Sequence, residues 1–288
     1  MSLPTQFQSL RLPLVAAPMF LVSGPQLVIE ACQGGIVGTF PALNQRTTEG
    51  FEQWVVEIKD KLAKFEQSTG KKAAPFGVNL IVHKSNPRLQ EDLMICIKHK
   101  VPLIITSLGA VAELVQQVQS YGGVVFHDVT NLKHAQKAAS AGVDGLIAVC
   151  GGAGGHAGKI NPFALIGQIR KFFPKTLLLA GALSRGRDIL AAQAMGADLA
   201  YMGTRFVATE ESMAQPEYKQ MILTSEADDI VYTAAVSGIP ASFMKASLDK
   251  AGIDESSSHG SMDGVDSEAK AWKNVWSAAH RVSNIRDW

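Results

Sequence analysis

The chain has 288 residues, a formal net charge of +1, 47% hydrophobic residues and 18% charged residues. This composition excludes a disordered chain, and the near-zero charge lacks the basic surplus of a nucleic-acid-binding protein. The length suits one large α/β barrel or two ordinary domains.

Targeting and metal-binding signals are missing from the sequence. Its three cysteines are widely spaced, without a CxxC or Cys/His ligand pattern, which predicts a cytoplasmic protein without a metal centre. The N-terminal stretch MSLPTQFQSL does not resemble a signal peptide. No apolar run reaches the roughly 18 residues of a membrane-spanning helix, so we expect no membrane span.

Short apolar runs alternate with helix-like segments along most of the chain. The first run is followed by a predicted helix from about Pro25 to Gln33, and the second by a long amphipathic segment in which Trp54, Ile58 and Leu62 share one face. The strand candidates lie at 13–19, 34–40, 75–82, 101–109, 122–129, 144–150, 176–183 and 197–206. Continuous apolar strands with helical crossovers are typical of a parallel sheet buried on both faces.

The repeated strand–helix units predict a closed (β/α)8 TIM barrel over residues 1–209, and an open doubly wound sheet is the alternative. The near-copies SAGVDGLI and AMGADLAYM favour the barrel. From residue 210 to 288 we expect a small helical cap that packs on the barrel and carries the substrate region. The Ser/Gly/Asp-rich stretch 254–267 within it is expected to be a mobile loop.

In an α/β barrel, functional groups lie at the C-terminal ends of the strands. Strands seven and eight end in the glycine turns at Gly181 and Gly203. Backbone N–H groups at such turns favour phosphate, and the loops after these two strands are the usual phosphate site of the fold. The alternative is that both glycines merely form tight turns.

Strand six ends in the glycine-rich stretch CGGAGGHAG, which contains His156. The stretch formally matches the GxGxxA dinucleotide fingerprint, but no acidic residue lies between Gly145 and Arg187 to bind a ribose. A P-loop is excluded because GK[ST] is absent. We interpret the glycines as a bare surface for a flat ligand, with His156 as its proton-transferring group. The alternative is a structural histidine bonded to a loop carbonyl.

Four further residues near strand ends are considered as site candidates. Asn79 offers a donor and an acceptor that suit the edge of a pyrimidine-like ring, although such a residue is often a cap. His127 and Asp128 are adjacent on one strand, so only one of them can face the barrel mouth, and we do not expect a catalytic pair. Cys150 lacks an evident activating partner, which favours a small buried residue over a nucleophile.

Seven segments together resemble the nitronate monooxygenase family, formerly called 2-nitropropane dioxygenases. They are APM on the first strand, GVNL on the third, AGGHAG after the sixth, AGA on the seventh, MGTRF on the eighth, and the later SGIPASF and AWKNVWSAA. The resemblance extends from about Leu12 to Trp276 and implies an FMN-dependent barrel enzyme.

The resemblance also implies roles for individual residues. His156 would be the catalytic base, Asn79 would bind the flavin ring, Ala17 and Met19 would lie against it, and Gly155 would border it. The phosphate would be held by Gly181, Ala182, Met202, Gly203 and Thr204.

Two departures from the family pattern concern the flavin and the substrate. Many members carry Gln and Glu before the glycine–histidine run, where this chain reads VCGGAGGH. Many also carry WSAGQG near the end, where this chain has Ala279, His280 and Arg281. The second departure puts the substrate preference in question.

The function implied is FMN-dependent oxidation of alkyl nitronates or nitroalkanes by O₂, giving a carbonyl compound and nitrite. An NAD(P)H-dependent FMN reductase of quinones or enoyl thioesters is the alternative, and a flavin- or phosphate-binding module without turnover is a third. The partners expected are a small-molecule substrate and O₂, with no nucleic acid and no membrane. The oligomeric state stays open, with a homodimer as one option.

Overall fold

A computed structural model describes residues 3–109, 111–256 and 275–280. Eight parallel strands close into a barrel in the order of the chain. The strands, including the two-residue β7 that lies outside the barrel, are β1 (Leu14–Ala16), β2 (Val37–Pro41), β3 (Phe76–Ile81), β4 (Leu103–Ser107), β5 (Val124–Val129), β6 (Gly145–Val149), β7 (Gly155–His156), β8 (Thr176–Ala180) and β9 (Leu199–Met202). Every predicted barrel strand is present, so the (β/α)8 prediction is confirmed.

Helices follow the strands and cover the outside of the barrel. They are α1 (Pro25–Gln33), α2 (Thr48–Thr69), α3 (Leu89–Lys98), α4 (Ala112–Ser120), α5 (Leu132–Ser140), α6 (Pro162–Arg170), α7 (Gly186–Ala194) and the short α8 (Thr204–Val207). Local signals fix their ends. In α2, Thr47 accepts a hydrogen bond from the Gly50 N–H at 3.0 Å, and Gly70 closes the helix in the left-handed conformation at φ 67°.

Alternation along the strands divides the apolar residues into two layers. Val15, Leu103, Phe126 and Leu178 fill the barrel interior. The residues between them in sequence face the helices, where they form the larger outer cluster. This alternation decides which side chain at each strand end faces the barrel mouth.

The near-copies noted in the sequence have equivalent structures. Asp144, which precedes β6, accepts a hydrogen bond from the Val125 N–H at 2.9 Å. Asp198, which precedes β9, accepts one from the Leu177 N–H at 2.8 Å. Each aspartate therefore ties the start of its own strand to the start of the preceding one.

The region after residue 210 contains strands that the sequence analysis did not predict. Besides α9 (Pro216–Thr224) and α10 (Lys245–Lys250), it forms β10 (Ile230–Thr233) and β11 (Ala241–Met244). These two pair antiparallel, and β11 also pairs with β7. The expected cap therefore contains β10 and β11 besides its helices, and such four-residue strands give too little alternation to recognise in the sequence. The boundary at residues 209 and 210 stays a prediction.

Two further expectations concern the 254–267 loop and membrane-spanning helices. The part of the 254–267 stretch from residue 257 onward lies outside the described residues. Within the described ranges, no helix combines the length and the apolar character needed to cross a membrane.

Candidate active site

The C-terminal ends of the barrel strands open into a cavity of about 1320 Å³. This exceeds the roughly 300–1,000 Å³ of most small-ligand sites. Every predicted site residue lines it: Ala17, Met19, Asn79, Gly155, His156, Gly181, Ala182, Met202, Gly203 and Thr204. The fold therefore brings the whole predicted set together, while their individual roles stay predictions.

His156 is held by a backbone ladder that comes from outside the barrel. It lies in β7, where it pairs with Ala241 of β11, and Gly155 pairs with Ser242. The imidazole is half-buried and lines the cavity. Strand pairing thus positions a side chain that its glycine neighbours could not hold by packing.

Further contacts anchor both ends of the glycine-rich stretch. The Tyr232 hydroxyl donates to the Ala157 carbonyl at 2.8 Å, and the His280 N–H donates to the Gly152 carbonyl at 3.1 Å. Gly154 packs so closely on the C-terminal segment that a Cβ there would lie 2.9 Å from the Ala279 nitrogen. The stretch is therefore fixed in spite of its composition.

The second departure from the family pattern lies beside the predicted phosphate residues. The Ala279 N–H donates to Thr204 Oγ1 at 2.9 Å, which leaves the Thr204 hydroxyl proton available to another acceptor. Arg281 lies outside the described residues. Ala279 therefore helps to form the wall of this end of the cavity, while the His280 backbone is bonded to Gly152.

Backbone strain concentrates around the cavity. Leu21, Leu108 and Ala182 are non-glycine residues with φ of 60°, 63° and 52°, and all three line the cavity. Gly181, next to Ala182, has φ 154°. Such conformations cost about 1–3 kcal/mol each and cluster at binding sites.

Met202 contributes to the cavity mainly through its backbone. Its side chain is buried in an outer cluster with Leu14 and Ile189, and its carbonyl accepts a hydrogen bond from the Ala17 N–H at 2.8 Å. The adjacent Gly203 adds no side chain to the cavity wall. A Cβ at this position would lie 3.4 Å from Met19 Sδ.

A polar chain crosses the inner wall of the barrel. Asn79 Nδ2 donates to Ser107 Oγ at 2.8 Å and to the Ile105 carbonyl at 3.2 Å. Ser107 Oγ donates to Asp128 Oδ2 at 2.6 Å. Burial raises the pKa of Asp128 to about 6, although the Ser107 hydrogen bond opposes this shift. Burial, and then the charge of Asp128, raise the pKa of Tyr201.

Ser107 and Tyr201 were not among the residues predicted from the sequence, and Asp128 was assigned no role. Ser107 ends β4, Tyr201 is the last residue but one of β9, and both line the cavity, as Asn79 does. Both residues could have been found from the sequence by listing the polar residues near the C-terminal end of each predicted strand that face the barrel interior. The chain from Asn79 to Asp128 depends on side-chain contacts between neighbouring strands, which the sequence does not show.

Two other candidates, His127 and Cys150, are buried in the described structure. His127 bonds Thr106 Oγ1 through Nδ1 at 2.7 Å, and burial lowers its pKa to about 4. Asp128 alone of the adjacent pair joins the polar chain, as the strand alternation predicts. Cys150 is buried, and burial raises the pKa of its thiol to about 12, which makes it a poor nucleophile.

A profile of the nitronate monooxygenase family matches residues 2–281. The chain belongs to this family. Nitronate monooxygenases are flavin-dependent oxidoreductases that act on small molecules. This membership confirms the resemblance inferred from the sequence.

Curated relatives carry two kinds of name. The chain is 30% identical over 236 residues to "(3aS,4S,5R,7aS)-5-hydroxy-7a-methyl-1-oxo-octahydro-1H-indene-4-carboxyl-CoA dehydrogenase" of Rhodococcus jostii (strain RHA1), covering 82% of this chain and 63% of the relative. It is 25% identical to the nitronate monooxygenase of Paraburkholderia phytofirmans, covering 84% of this chain and 76% of the relative. The chain spans less than two thirds of the Rhodococcus protein.

Solved structures share the fold. A nitroalkane oxidase from Streptomyces ansochromogenes superposes with a TM-score of 0.78 at 24% identity, covering 96% of this chain and 91% of the other. A FabK variant from Thermotoga maritima gives a TM-score of 0.76 at 24% identity, covering 97% and 88%. At this identity the likeness concerns the barrel architecture.

Proposed function

We propose that this enzyme uses FMN and O₂ to oxidise alkyl nitronates and nitroalkanes to a carbonyl compound and nitrite, with His156 as the base. One observation carries the proposal. The β7–β11 ladder fixes a half-buried imidazole in the cavity that also holds every residue predicted to bind the cofactor.

The residues present fit a flavin. A Cβ added at Gly155 would meet no atom within 4 Å, so a ring has room to lie on the backbone there. Asn79 Oδ1 takes no hydrogen bond from a described residue and can accept one from the ring edge. Gly181, Gly203 and Thr204, which line the same cavity, would hold the phosphate of FMN. When bound, FMN would supply the electron transfer between the nitronate and O₂.

His156 would take the proton from the carbon that bears the nitro group. A positioned histidine contributes about 10²- to 10⁴-fold to such a step. A nitronate has already lost this proton, so its oxidation needs the base less. The protein residues thereby position the substrate and accept its proton, and the cofactor carries the redox chemistry.

Two measurements test the proposal. The purified protein should be yellow or become yellow with FMN, and acid treatment should release FMN. Oxygen uptake with propionate 3-nitronate should proceed equally with and without NADH. A colourless protein that binds no added FMN would overturn the cofactor assignment, and uptake that requires NADH would overturn the oxidase assignment.

A second candidate is an NAD(P)H-dependent flavin reductase of enoyl thioesters. The cavity mouth is amphipathic: the exposed apolar side chains Leu108, Met213 and Ile239 line it, and so do Lys137 and Lys159. Such a mouth fits an acyl chain on an anionic carrier, and the Rhodococcus relative is named for a carboxyl-CoA substrate. Rapid anaerobic bleaching of the flavin by NADH, followed by reoxidation with crotonyl-CoA, would favour this candidate.

We also propose a cytoplasmic location. It rests on the three cysteines, which are free and buried in the described structure. Fractionation of the native cells, followed by immunoblotting, tests it. A homodimer stays one option for the assembly, and sedimentation equilibrium decides it.

A further inference from the structure

The two ends of the polar chain in the barrel wall, the Ile105 carbonyl and the Asp128 carboxylate, determine which groups donate hydrogen bonds and which accept them. At one end the Ile105 carbonyl can only accept, and it faces Asn79 Nδ2 at 3.2 Å. The second Nδ2 hydrogen goes to Ser107 Oγ at 2.8 Å. Ser107 has one hydroxyl proton, which it donates to Asp128 Oδ2 at 2.6 Å. Both amide hydrogens of Asn79 are therefore committed within the wall.

The committed amide leaves Asn79 Oδ1 as the polar atom available to a ligand. Asn79 is 7% exposed and lines the cavity. A carboxylate accepts only, so Asp128 keeps the Ser107 proton from turning back toward Asn79 Oδ1. With an apolar residue at position 128, Ser107 could donate to Asn79 Oδ1 instead, and the acceptor would be lost to the ligand.

Placing a carboxylate at position 128 lowers the stability of the fold. Its Oδ1 is buried and has no hydrogen-bond partner among the described residues. It is also the single acidic side chain among the described residues that line the cavity. A buried carboxylate with one unsatisfied oxygen destabilises the fold, which points to a role in the site.

We propose that Asp128 is a positioning residue which, through Ser107, holds the Asn79 amide with Oδ1 toward the cavity as the acceptor for the flavin ring N–H. Oxidised isoalloxazine has a single ring N–H, at N3, so a fixed acceptor selects that edge of the ring. The inference rests on the proposed function, because it requires FMN in this cavity.

The test compares variants at the two links of the chain. Ser107→Ala removes the connecting hydroxyl, and Asp128→Leu removes the acceptor at similar size. Asp128→Asn keeps an acceptor oxygen and serves as the conservative variant. Thr106→Val is the matched control, because Thr106 bonds His127 on the opposite face of the same strand. Circular dichroism checks the folding of each protein.

Two readouts are used with ¹⁵N-labelled FMN: the dissociation constant from flavin fluorescence, and the chemical shift of the N3–H group. We expect Ser107→Ala and Asp128→Leu to weaken FMN binding about tenfold and to move the N3–H signal toward that of free FMN. Asp128→Asn should have a smaller effect, and Thr106→Val should leave both readouts at the wild-type values.

Wild-type dissociation constants and N3–H shifts in both Ser107→Ala and Asp128→Leu would overturn the positioning role. Equal damage by Asp128→Asn and Asp128→Leu would also overturn it. Failure of the wild-type protein to bind FMN would be a different result, because it would refute the proposed function on which the inference rests.

Discussion

The cavity has two sides that are built by different means. The barrel wall presents Asn79, Ser107 and Asp128 from three neighbouring strands in a closed parallel sheet. His156 comes from β7, which is anchored by β11 of the small antiparallel sheet. The barrel wall is thus set by local strand register, and His156 by a pairing with a distant part of the chain. Cofactor binding and proton transfer should therefore be separable by mutation.

The largest effect expected is that of His156→Asn. It removes the base and keeps the β7–β11 ladder, so turnover of a neutral nitroalkane should fall about 10²- to 10⁴-fold. Turnover of the corresponding nitronate should fall much less, and FMN affinity should not change. The measurement is kcat/KM for both substrates. His83→Asn, at a position outside the cavity lining, is the control, and equal losses on both substrates would contradict the base role.

The barrel-wall side gives a prediction about pH. The pKa of Asp128 is about 6 in the folded protein, against an ordinary value of 3.8. The folded state therefore binds this proton more tightly than the unfolded chain, and its stability falls as the pH rises from about 4 to about 6. Asp128→Asn removes this loss, so the variant should be more stable near pH 7 by up to about 3 kcal/mol.

Urea unfolding of wild type and Asp128→Asn across this pH range provides the measurement. The stability difference should shrink steadily as the pH falls through about 6 and level off below the ordinary value of 3.8, where the Asp128 carboxyl is protonated in both states. A difference that does not change with pH would show that the pKa of Asp128 is the same in the folded and unfolded protein, and would contradict the raised value.

The contrast between the two sides also explains how far the sequence could be interpreted. The eight barrel strands were predictable because each is a continuous apolar run, and Asn79, Gly181 and Gly203 followed from their ends. The pairing of His156 with Ala241 was not predictable, because β7 has two residues and no periodicity. The alternation implied that only one of His127 and Asp128 faces the barrel mouth, and the bond of Asp128 to Ser107 is a contact between strands that no spacing reveals.

Two adjacent glycines test how tightly the glycine-rich stretch is held. Gly154→Ala would place a Cβ 2.9 Å from the Ala279 nitrogen and 3.0 Å from the Ala278 carbonyl carbon, both of which are backbone atoms. We expect a loss of about 1–3 kcal/mol in the free energy of unfolding, because the segments must separate.

Gly155→Ala is the matched comparison. Its Cβ would meet no atom within 4 Å, and only the φ of +69° opposes it. The loss should be about 1–2 kcal/mol, with an added defect in FMN binding that Gly154→Ala lacks. Unfolding curves and FMN titrations of both variants check this, and a Gly155→Ala protein that binds FMN normally would contradict the placement of the ring beside Gly155.

The smallest effect expected is that of Tyr232→Phe, which removes one hydroxyl. This hydroxyl donates to the Ala157 carbonyl at 2.8 Å, immediately after His156. Its loss should cost about 1 kcal/mol and lower nitroalkane turnover a few-fold, because His156 becomes less firmly placed. FMN affinity should stay unchanged, since the barrel wall is intact. If FMN affinity falls together with turnover, the two sides of the cavity are coupled, and the separation between the barrel wall and the β7–β11 ladder does not hold.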